Sequence, residues 1–348
     1  MSRPDAPTEP MSAEAIAALA SGVLARRKAS VAKALNLVED RRAGSQRAVG
    51  ALLRALREGA NDASHRVGLT GPPGVGKSTL AAALARTLRE RGRSVGVVAV
   101  DPSSVRSSGS LLGDRARMGF DPSDDHLFVR SLATGGEAGG LSGAAPAAAQ
   151  VLAAAYELVL IETTGVGQTE TDVRHVADTV VLVVQPGSGD VLQFLKAGIM
   201  EIPDLLVVNK ADSGRLAERA TSDLRSALAS IQAAGLTQAV PILATSATEG
   251  RGLEDLADAL QAQRVAATDL AGRRRRGEVA WALQLFRRLH GRHGVETLGG
   301  DAALEAAIDD ELDAEAPPTI CAHLSERYLA QVGRRKSPTA TATKETQR

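Results

Sequence analysis

The sequence has few aromatic residues and almost no cysteine. Among 348 residues only 2% are Phe, Trp or Tyr, and Cys321 is the single cysteine. One thiol excludes an intrachain disulfide and is typical of proteins from reducing compartments. So few aromatic side chains also argue against a stacking surface for single-stranded nucleic acid. The apolar share is 44%, which is enough for a buried core.

Net charge and long apolar runs are lacking as well. Lys plus Arg and Asp plus Glu each number 41, so the formal net charge is +0. A neutral chain gives no global attraction to nucleic acid or to a membrane. The longest apolar stretch, 144–161, is interrupted by polar residues, and residues 1–10 have no apolar core to serve as a secretory signal. We therefore expect a cytoplasmic protein with neither nucleic acid nor membrane as a partner.

Seven short apolar runs alternate with helical stretches in the middle of the chain. Continuous β-branched runs of this kind predict buried parallel strands with helices on both faces, an α/β fold with a doubly wound sheet. Ligands of such sheets bind at the carboxyl ends of the strands. The runs are 66–70, 94–101, 126–131, 157–163, 179–186, 204–210 and 240–247.

The regions that flank these runs have a different pattern of apolar residues. Apolar residues at helical spacing, such as Val31, Leu35 and Val38, predict helices before residue 60, and the chain turns helical again after residue 252. The two termini have little to bury and are predicted to be disordered. The predicted domains are 1–12 disordered, 13–60 a helical N-terminal extension, 61–265 a nucleotide domain, 266–334 a C-terminal helical arm and 335–348 a disordered tail.

The first apolar run is followed by a phosphate-binding motif. Glycine, four residues, glycine, lysine and serine form the P-loop spacing, and a helical stretch follows as that motif requires. The glycines let successive backbone N–H groups point at phosphate oxygens, and the helix N-terminus adds partial positive charge. Lys77 can reach the β- and γ-phosphates, and the Ser78 hydroxyl can hold Mg²⁺. The predicted phosphate-binding residues are Gly71, Pro72, Pro73, Gly74, Val75, Gly76, Lys77, Ser78 and Thr79.

A second motif indicates which base the nucleotide carries. Asn209, Lys210 and Asp212 follow the sixth run in the pattern Asn-Lys-x-Asp. A carboxylate at Asp212 can accept from both the ring N–H and the exocyclic amine of guanine, and adenine offers no such pair. Leaving that carboxylate without partners disfavours the wrong base strongly. Ser246 and Ala247, after the seventh run, would bring a backbone N–H near the guanine oxygen.

The fourth run ends on an acidic residue with a glycine three positions later. Glu162 and Gly165 are placed for organising Mg²⁺ and for sensing the γ-phosphate. Because glutamate is one methylene longer than the usual aspartate, we hypothesise contact through a metal-bound water. Asp101 closes the second run and Asp114 lies in the loop beyond it. The pattern alone allows either a metal role or a turn or cap role for these two residues.

Longer stretches resemble one family, the methylmalonyl-CoA mutase-associated GTPases (MeaB/ArgK-like), once described as kinases of an arginine/ornithine transport system. The resemblance extends from about residue 30 to 300. It is more specific than the general GTPase motifs because it includes the regions between them. The stretches that carry it are 101–104, 108–118, 162–170, 186–193 and 196–202.

The resemblance implies a mostly parallel P-loop GTPase domain of the SIMIBI class, with a helical N-terminal extension and a C-terminal arm that forms a homodimer. It implies that Asp101, Asp114 and Glu162 surround the metal and its waters. Residues 165–172 would be the second switch, and Asp190 and Lys196 would belong to a switch that responds to the partner mutase. Such proteins use GTP to gate adenosylcobalamin delivery to an acyl-CoA mutase and to protect it, so cobalamin is reached only through the mutase.

The expected reaction is in-line attack of water on the γ-phosphate of GTP. Catalysis would come from positioning and from charge neutralisation by Mg²⁺, Lys77 and backbone N–H groups, with Glu162 and Gly165 at the switch. Gln168 is a candidate for positioning the water, although a surface glutamine fits the pattern equally well. A GTPase without a fixed catalytic group is expected to be slow until a partner orders its switches.

Three other functions remain open from the sequence. A nickel- or zinc-insertion GTPase would need a Cys/His cluster, for which His290 and His293 are weak candidates beside one cysteine. A P-loop kinase would use ATP and need an acceptor pocket, and Asp212 argues against it. A nucleic-acid binder would centre on the arginine run 273–276, which a solvated helix explains more simply. Trp281 and Phe286 fit a helix–helix core or a dimer contact.

Overall fold

The computed structural model describes most of the chain, including the whole predicted sheet. Asp101 is described as the last residue of its strand, without its side chain. The described residues are 11–40, 42, 45–59, 63–101, 121, 123–133, 141–164, 172–187, 203–233 and 239–335.

Seven parallel strands form one sheet, in the order β3-β2-β4-β1-β5-β6-β7. Each strand coincides with one of the seven apolar runs, so the α/β prediction is confirmed. Neighbouring strands pair in parallel register, for example Val67 with Leu160 and with Thr179 on its two sides. The strands are β1 His65–Thr70, β2 Val95–Asp101, β3 Leu127–Ala133, β4 Leu158–Glu162, β5 Thr179–Val184, β6 Leu205–Val208 and β7 Ile242–Ala244.

Ten α-helices surround the sheet within the described residues. Two further 3₁₀ turns, Asp172–His175 and Ala211–Ser213, lie in the connections before β5 and after β6. The helices are α1 Ala13–Leu24, α2 Lys28–Val38, α3 Ser45–Gly59, α4 Lys77–Glu90, α5 Ala145–Ala155, α6 Arg215–Ala233, α7 Leu253–Ala266, α8 Leu270–Thr297, α9 Asp301–Glu311 and α10 Pro317–Arg335. None of these helices is long and apolar enough to cross a membrane.

The two faces of the sheet are covered by different helices. Side chains of alternate strand residues, such as Val97 and Leu160, pack against α4 and α7, while their neighbours Val98 and Ile161 pack against α5. Burial on both faces explains why the strands are apolar throughout instead of alternating.

The N-terminal helices form an additional layer over α5. Buried residues of α1, α2 and α3, including Leu19, Leu35 and Leu53, share one core with α5 and with that face of the sheet. Ser12, just before α1, is an N-cap whose hydroxyl oxygen accepts a hydrogen bond from the N–H of Ala15 at 3.2 Å. The helices predicted before residue 60 are therefore formed and packed.

Three helices at the C-terminus have a core of their own. Phe286 of α8 and Ile320 of α10 are fully buried there, together with Cys321. Trp281 of α8 is 5% exposed and joins the core of the N-terminal helices and α5 instead. Both aromatic residues thus serve helix–helix packing within the chain.

The arginine run at the start of α8 is neutralised by ion pairs. Arg274 makes two hydrogen bonds to the buried carboxylate of Asp178, at 2.8 and 2.7 Å. The other three arginines each meet carboxylates at 3.4 Å or less and keep side chains that are 37–70% exposed, so the solvated basic helix expected from the sequence is wrong only for Arg274, which is 11% exposed. The remaining pairs are Arg273 with Asp204, Arg275 with Asp309 and Asp313, and Arg276 with Asp269.

Candidate nucleotide-binding site

The candidate site lies at the carboxyl edge of the sheet. The chain leaves β1 toward β2 on one side and later returns to β5 on the other side of β1. Such a reversal of strand order opens a crevice where α/β proteins bind ligands. The P-loop follows β1 directly, Glu162 ends β4, Asn209 follows β6, and Thr245 follows β7.

The P-loop backbone has the conformation that its glycines allow. Gly71, Gly74 and Gly76 have φ of 137°, 81° and 90°, all in the left-handed half of the map that side chains disfavour. A Cβ at Gly71 would lie 2.0 Å from the carbonyl oxygen of Val183, and a Cβ at Gly76 would lie 2.7 Å from Nδ2 of Asn209. The glycines are therefore required both for the turn and for the close approach of β5 and the base motif.

Lys77 is held inside the loop. It is the first residue of α4, its side chain donates to the carbonyl oxygens of Gly71 at 2.8 Å and Pro72 at 3.0 Å, and it is only 6% exposed. These bonds to neutral acceptors keep a positive charge within the turn where phosphate oxygens are expected. The N-terminus of α4 adds its partial positive charge at the same place.

An oxygen-rich pair follows beside the loop. The hydroxyl of Ser78 donates to Oε1 of Glu162 at 2.5 Å, and Glu162 is 7% exposed at the end of β4. Hydroxyl and carboxylate oxygens are the ligands that Mg²⁺ prefers in proteins, so these two residues fit the metal predicted from the sequence. Thr163 is fixed next to them, because its N–H donates to Leu69 at 3.1 Å and its hydroxyl to Thr70 at 3.2 Å. Among the described residues no group of three or more metal-ligating side chains occurs.

The base motif is attached to the P-loop by its asparagine. The side-chain N–H of Asn209 donates to the carbonyl oxygen of Val75 at 2.9 Å, and its oxygen accepts from the hydroxyl of Thr245 at 3.1 Å. Asn209 is 2% exposed, so both bonds form away from water. The N–H of Ala247 also donates to this oxygen, at 3.3 Å, so the N–H predicted to face guanine already has a protein acceptor.

Asp212 points outward as an ionised carboxylate. It is exposed, and its Oδ1 accepts a hydrogen bond from the hydroxyl of Ser246 at 2.7 Å. That hydrogen bond, with a smaller contribution from its own backbone, lowers the pKa of Asp212 below its usual range. An ionised Asp212 has only acceptor oxygens, which is what the paired donors of guanine require.

Several predicted site residues lie outside the described parts of the chain. They are Asp114, Gly165, Gln168, Asp190 and Lys196, and Asp101 is placed only as the end of β2. Their roles remain predictions.

Two contacts at the site were not foreseen from the sequence. The segment of Ser246 and Ala247 was predicted to supply a backbone N–H, and the hydroxyl of Ser246 was not expected to orient Asp212, as it does. Gln185, the first residue after β5, accepts a hydrogen bond from Lys210 at 2.6 Å. Gln185 could have been singled out by its position, because a polar residue directly after a buried strand of such a sheet lies at the edge where ligands bind.

A large groove lies away from this edge. Its volume is about 1420 Å³, and it is walled by α1, α3, α8 and α10. Its floor is rich in alanine, including Ala48, Ala51 and Ala55 of α3, and none of the P-loop or base-motif residues lines it. Of the candidate histidines of the metal-insertion alternative, His290 contacts the hydroxyl of Ser325 at 2.8 Å, and its ring lies 4.6 Å from that of Tyr328 in α10.

The fold and the P-loop place the molecule among the P-loop GTPases, and comparison with known proteins specifies the family. The family model described as methylmalonyl Co-A mutase-associated GTPase MeaB matches residues 31–292. The chain belongs to this family.

Individual relatives agree with the family assignment. A probable GTPase of Mycobacterium tuberculosis is 41% identical over 276 residues, which is 77% of this chain and 82% of that protein. The mitochondrial methylmalonic aciduria type A homolog of Mus musculus is 34% identical over 283 residues, 77% of this chain and 68% of that protein. The crystal structure of a LAO/AO transport system kinase is similar with a TM-score of 0.58 and 26% identity, covering 92% of this chain and 99% of that one.

Proposed function

We propose that this protein binds GTP with Mg²⁺, hydrolyses it, and acts as a chaperone of an adenosylcobalamin-dependent acyl-CoA mutase. The observation that carries the nucleotide part is the bond between Asn209 and Val75, which joins the base motif to the P-loop. The P-loop and the base motif, joined in this way, offer the ammonium group of Lys77 to a triphosphate and the ionised carboxylate of Asp212 to the base. Family membership supports the mutase as client, and cobalamin is contacted only through it.

In the proposed reaction the protein positions GTP and neutralises charge. Lys77 moves its ammonium donors from loop carbonyls to phosphate oxygens, and backbone N–H groups of the loop do the same. Ser78 and Glu162 would hold Mg²⁺, and the ion would supply positive charge beside the transferred phosphoryl group. Gly165 would sense the γ-phosphate and Gln168 would orient the attacking water. Asp101 and Asp114 would complete the acidic surroundings of the metal, and Asp190 and Lys196 would respond to the mutase.

We further propose that the protein is a cytoplasmic homodimer joined through its C-terminal helices. The single cysteine cannot form an intrachain disulfide, which suits a reducing compartment, and burial raises the pKa of the Cys321 thiol to about 11. Size-exclusion chromatography with light scattering tests the dimer, and a monomer at all concentrations would contradict it.

The base assignment is tested by the variant Asp212→Asn. An asparagine presents donors where guanine has donors, so the variant is expected to lose affinity for GDP by at least about 100-fold and to gain affinity for xanthosine diphosphate. The matched control is Asp223→Asn, an exposed residue on α6, which should bind GDP as the wild type does. Equal GDP affinity of Asp212→Asn and the wild type would contradict guanine recognition at this residue.

The client is tested by affinity purification with a non-hydrolysable GTP analogue. We expect an acyl-CoA mutase to be recovered, and GTP turnover to rise when that mutase is added. Recovery of a hydrogenase or urease subunit would favour metal insertion instead. Unchanged turnover with the mutase present would contradict the chaperone role while leaving guanine binding intact.

A further inference from the structure

Lys210 has an unusual backbone conformation at the base site. Its φ and ψ are 61° and 40°, the left-handed helical region, and within the described chain only Arg26 shares a positive φ among residues other than glycine. A residue with a side chain persists in this region only where its surroundings hold it. The contacts of the Lys210 side chain are therefore part of how the base motif keeps its shape.

Two acceptors from different segments hold the ammonium group. Nζ of Lys210 donates to the carbonyl oxygen of Gly74 at 2.7 Å and to Oε1 of Gln185 at 2.6 Å. Because an ammonium group can only donate, the amide oxygen of Gln185 must be the atom that faces it. Lys210 thus bridges the tip of the P-loop and the residue that follows β5.

The tip of the P-loop is open on the side of Gly74, although Asn209 holds its neighbour Val75 by a buried hydrogen bond. A Cβ at Gly74 would meet no atom within 4 Å, so nothing packs against the loop on that side. Lysine is a long side chain that loses much rotamer freedom when it is fixed. Gln185 is half-buried directly after β5 and gives Lys210 a second acceptor beside the P-loop carbonyl, so this entropy is lost before the nucleotide binds.

We propose that Gln185 is a positioning residue that lengthens the residence of guanine nucleotide by holding Lys210 against the P-loop. The inference rests on the proposed function, since it concerns the same site. In this account Gln185 touches neither phosphate nor base and acts through Lys210. A leucine there would keep the size of the side chain and remove the acceptor, whereas a glutamate would keep the acceptor and add a charge opposite to that of Lys210.

The test is the dissociation rate of a fluorescent GDP analogue, measured by stopped flow in the full chain. We expect Gln185→Leu to accelerate release roughly threefold to tenfold, the effect of losing one charge-assisted hydrogen bond that is partly open to water. Gln185→Glu should release the analogue no faster than the wild type. A thermal unfolding curve for each variant verifies that it is folded.

A double-variant cycle separates positioning from a general structural effect. If Gln185 acts through Lys210, Gln185→Leu should have no further effect on release in a Lys210→Met background. An equal acceleration in both backgrounds would overturn the inference, and so would an unchanged release rate in Gln185→Leu. A wild type that binds no guanine nucleotide at all would instead refute the proposed function on which the inference rests.

Discussion

The ion pair between Arg274 and Asp178 anchors α8 to the sheet, and breaking it should destabilise the protein strongly. The Arg274 side chain is 11% exposed and that of Asp178 is 2% exposed. Arg274 also donates to the carbonyl oxygen of Ser64 at 2.7 Å, just before β1. The substitution Arg274→Met removes at least three hydrogen bonds and leaves a buried carboxylate that keeps the hydrogen bond from the N–H of Arg66 at 2.9 Å.

The expected loss of unfolding free energy follows from the carboxylate of Asp178, which stays buried without the charge of Arg274 beside it. Burial raises the pKa of Asp178, but the hydrogen bonds and charge of Arg274 outweigh it, so the net pKa is lowered. Removing one partner of such a buried pair costs about 3–5 kcal/mol of unfolding free energy, a large part of the roughly 5–15 kcal/mol that a domain has. Because Asn in place of Asp178 removes the stranded charge, the double variant Arg274→Met, Asp178→Asn should be more stable than Arg274→Met alone.

The assay is urea unfolding followed by the fluorescence of Trp281, the single tryptophan, which is buried in α8 itself. Arg276→Met is the matched control, because that arginine lies on the same helix in an ion pair with Asp269 at the surface. The control should unfold near the wild-type midpoint. If Arg274→Met were no less stable than Arg276→Met, the account of α8 as anchored by a buried pair would be refuted.

Two further predictions concern helix packing and pH. Gly277→Ala should lower the unfolding free energy by at least about 1–3 kcal/mol, since its Cβ would lie 2.1 Å from the backbone oxygen of His175. The control Gly333→Ala has open space around its Cβ and should be neutral or stabilising by up to about 1 kcal/mol. Equal effects of the two substitutions in chemical denaturation would contradict the close packing of α8. Burial lowers the pKa of His65 to about 4 from 6.5, so as the pH falls the unfolded chain binds this proton first. The contribution of His65 to stability is therefore full above pH 6.5, and the unfolding free energy should fall by roughly 2 kcal/mol by pH 5. His65→Gln should remove that part of the pH dependence, and an identical pH slope in both proteins would refute the prediction.

The α/β architecture could be predicted because each strand and the P-loop can be recognised from one short segment of the sequence. A strand buried on both faces is apolar throughout, so the strands Leu158–Glu162 and Thr179–Val184 can be predicted without knowing which strands they pair with. The P-loop is visible for a related reason, since its glycines, Lys77 and Ser78 act within one short turn and the helix that follows it.

Contacts between distant segments could not be predicted in the same way. Arg274 and Asp178 are 96 residues apart, and Ser246 and Asp212 are 34 apart, so no spacing rule connects them. The run 273–276 illustrates the limit: its composition indicates a solvated basic helix, but three of its four arginines pair with carboxylates of other segments, and only Arg276 pairs within its own helix, with the N-cap Asp269. Likewise, the contact of Gln185 with Lys210 forms only because β5 and β6 lie side by side.

The central claim is that the P-loop and Asp212 together bind a guanine nucleotide. The most direct measurement is calorimetric titration of the wild-type protein with GDP and with ADP, in the presence of Mg²⁺. The account predicts saturable binding of GDP to one site per chain, at least about 100-fold tighter than binding of ADP. Equal affinity for the two nucleotides, or no saturable binding of GDP, would contradict it.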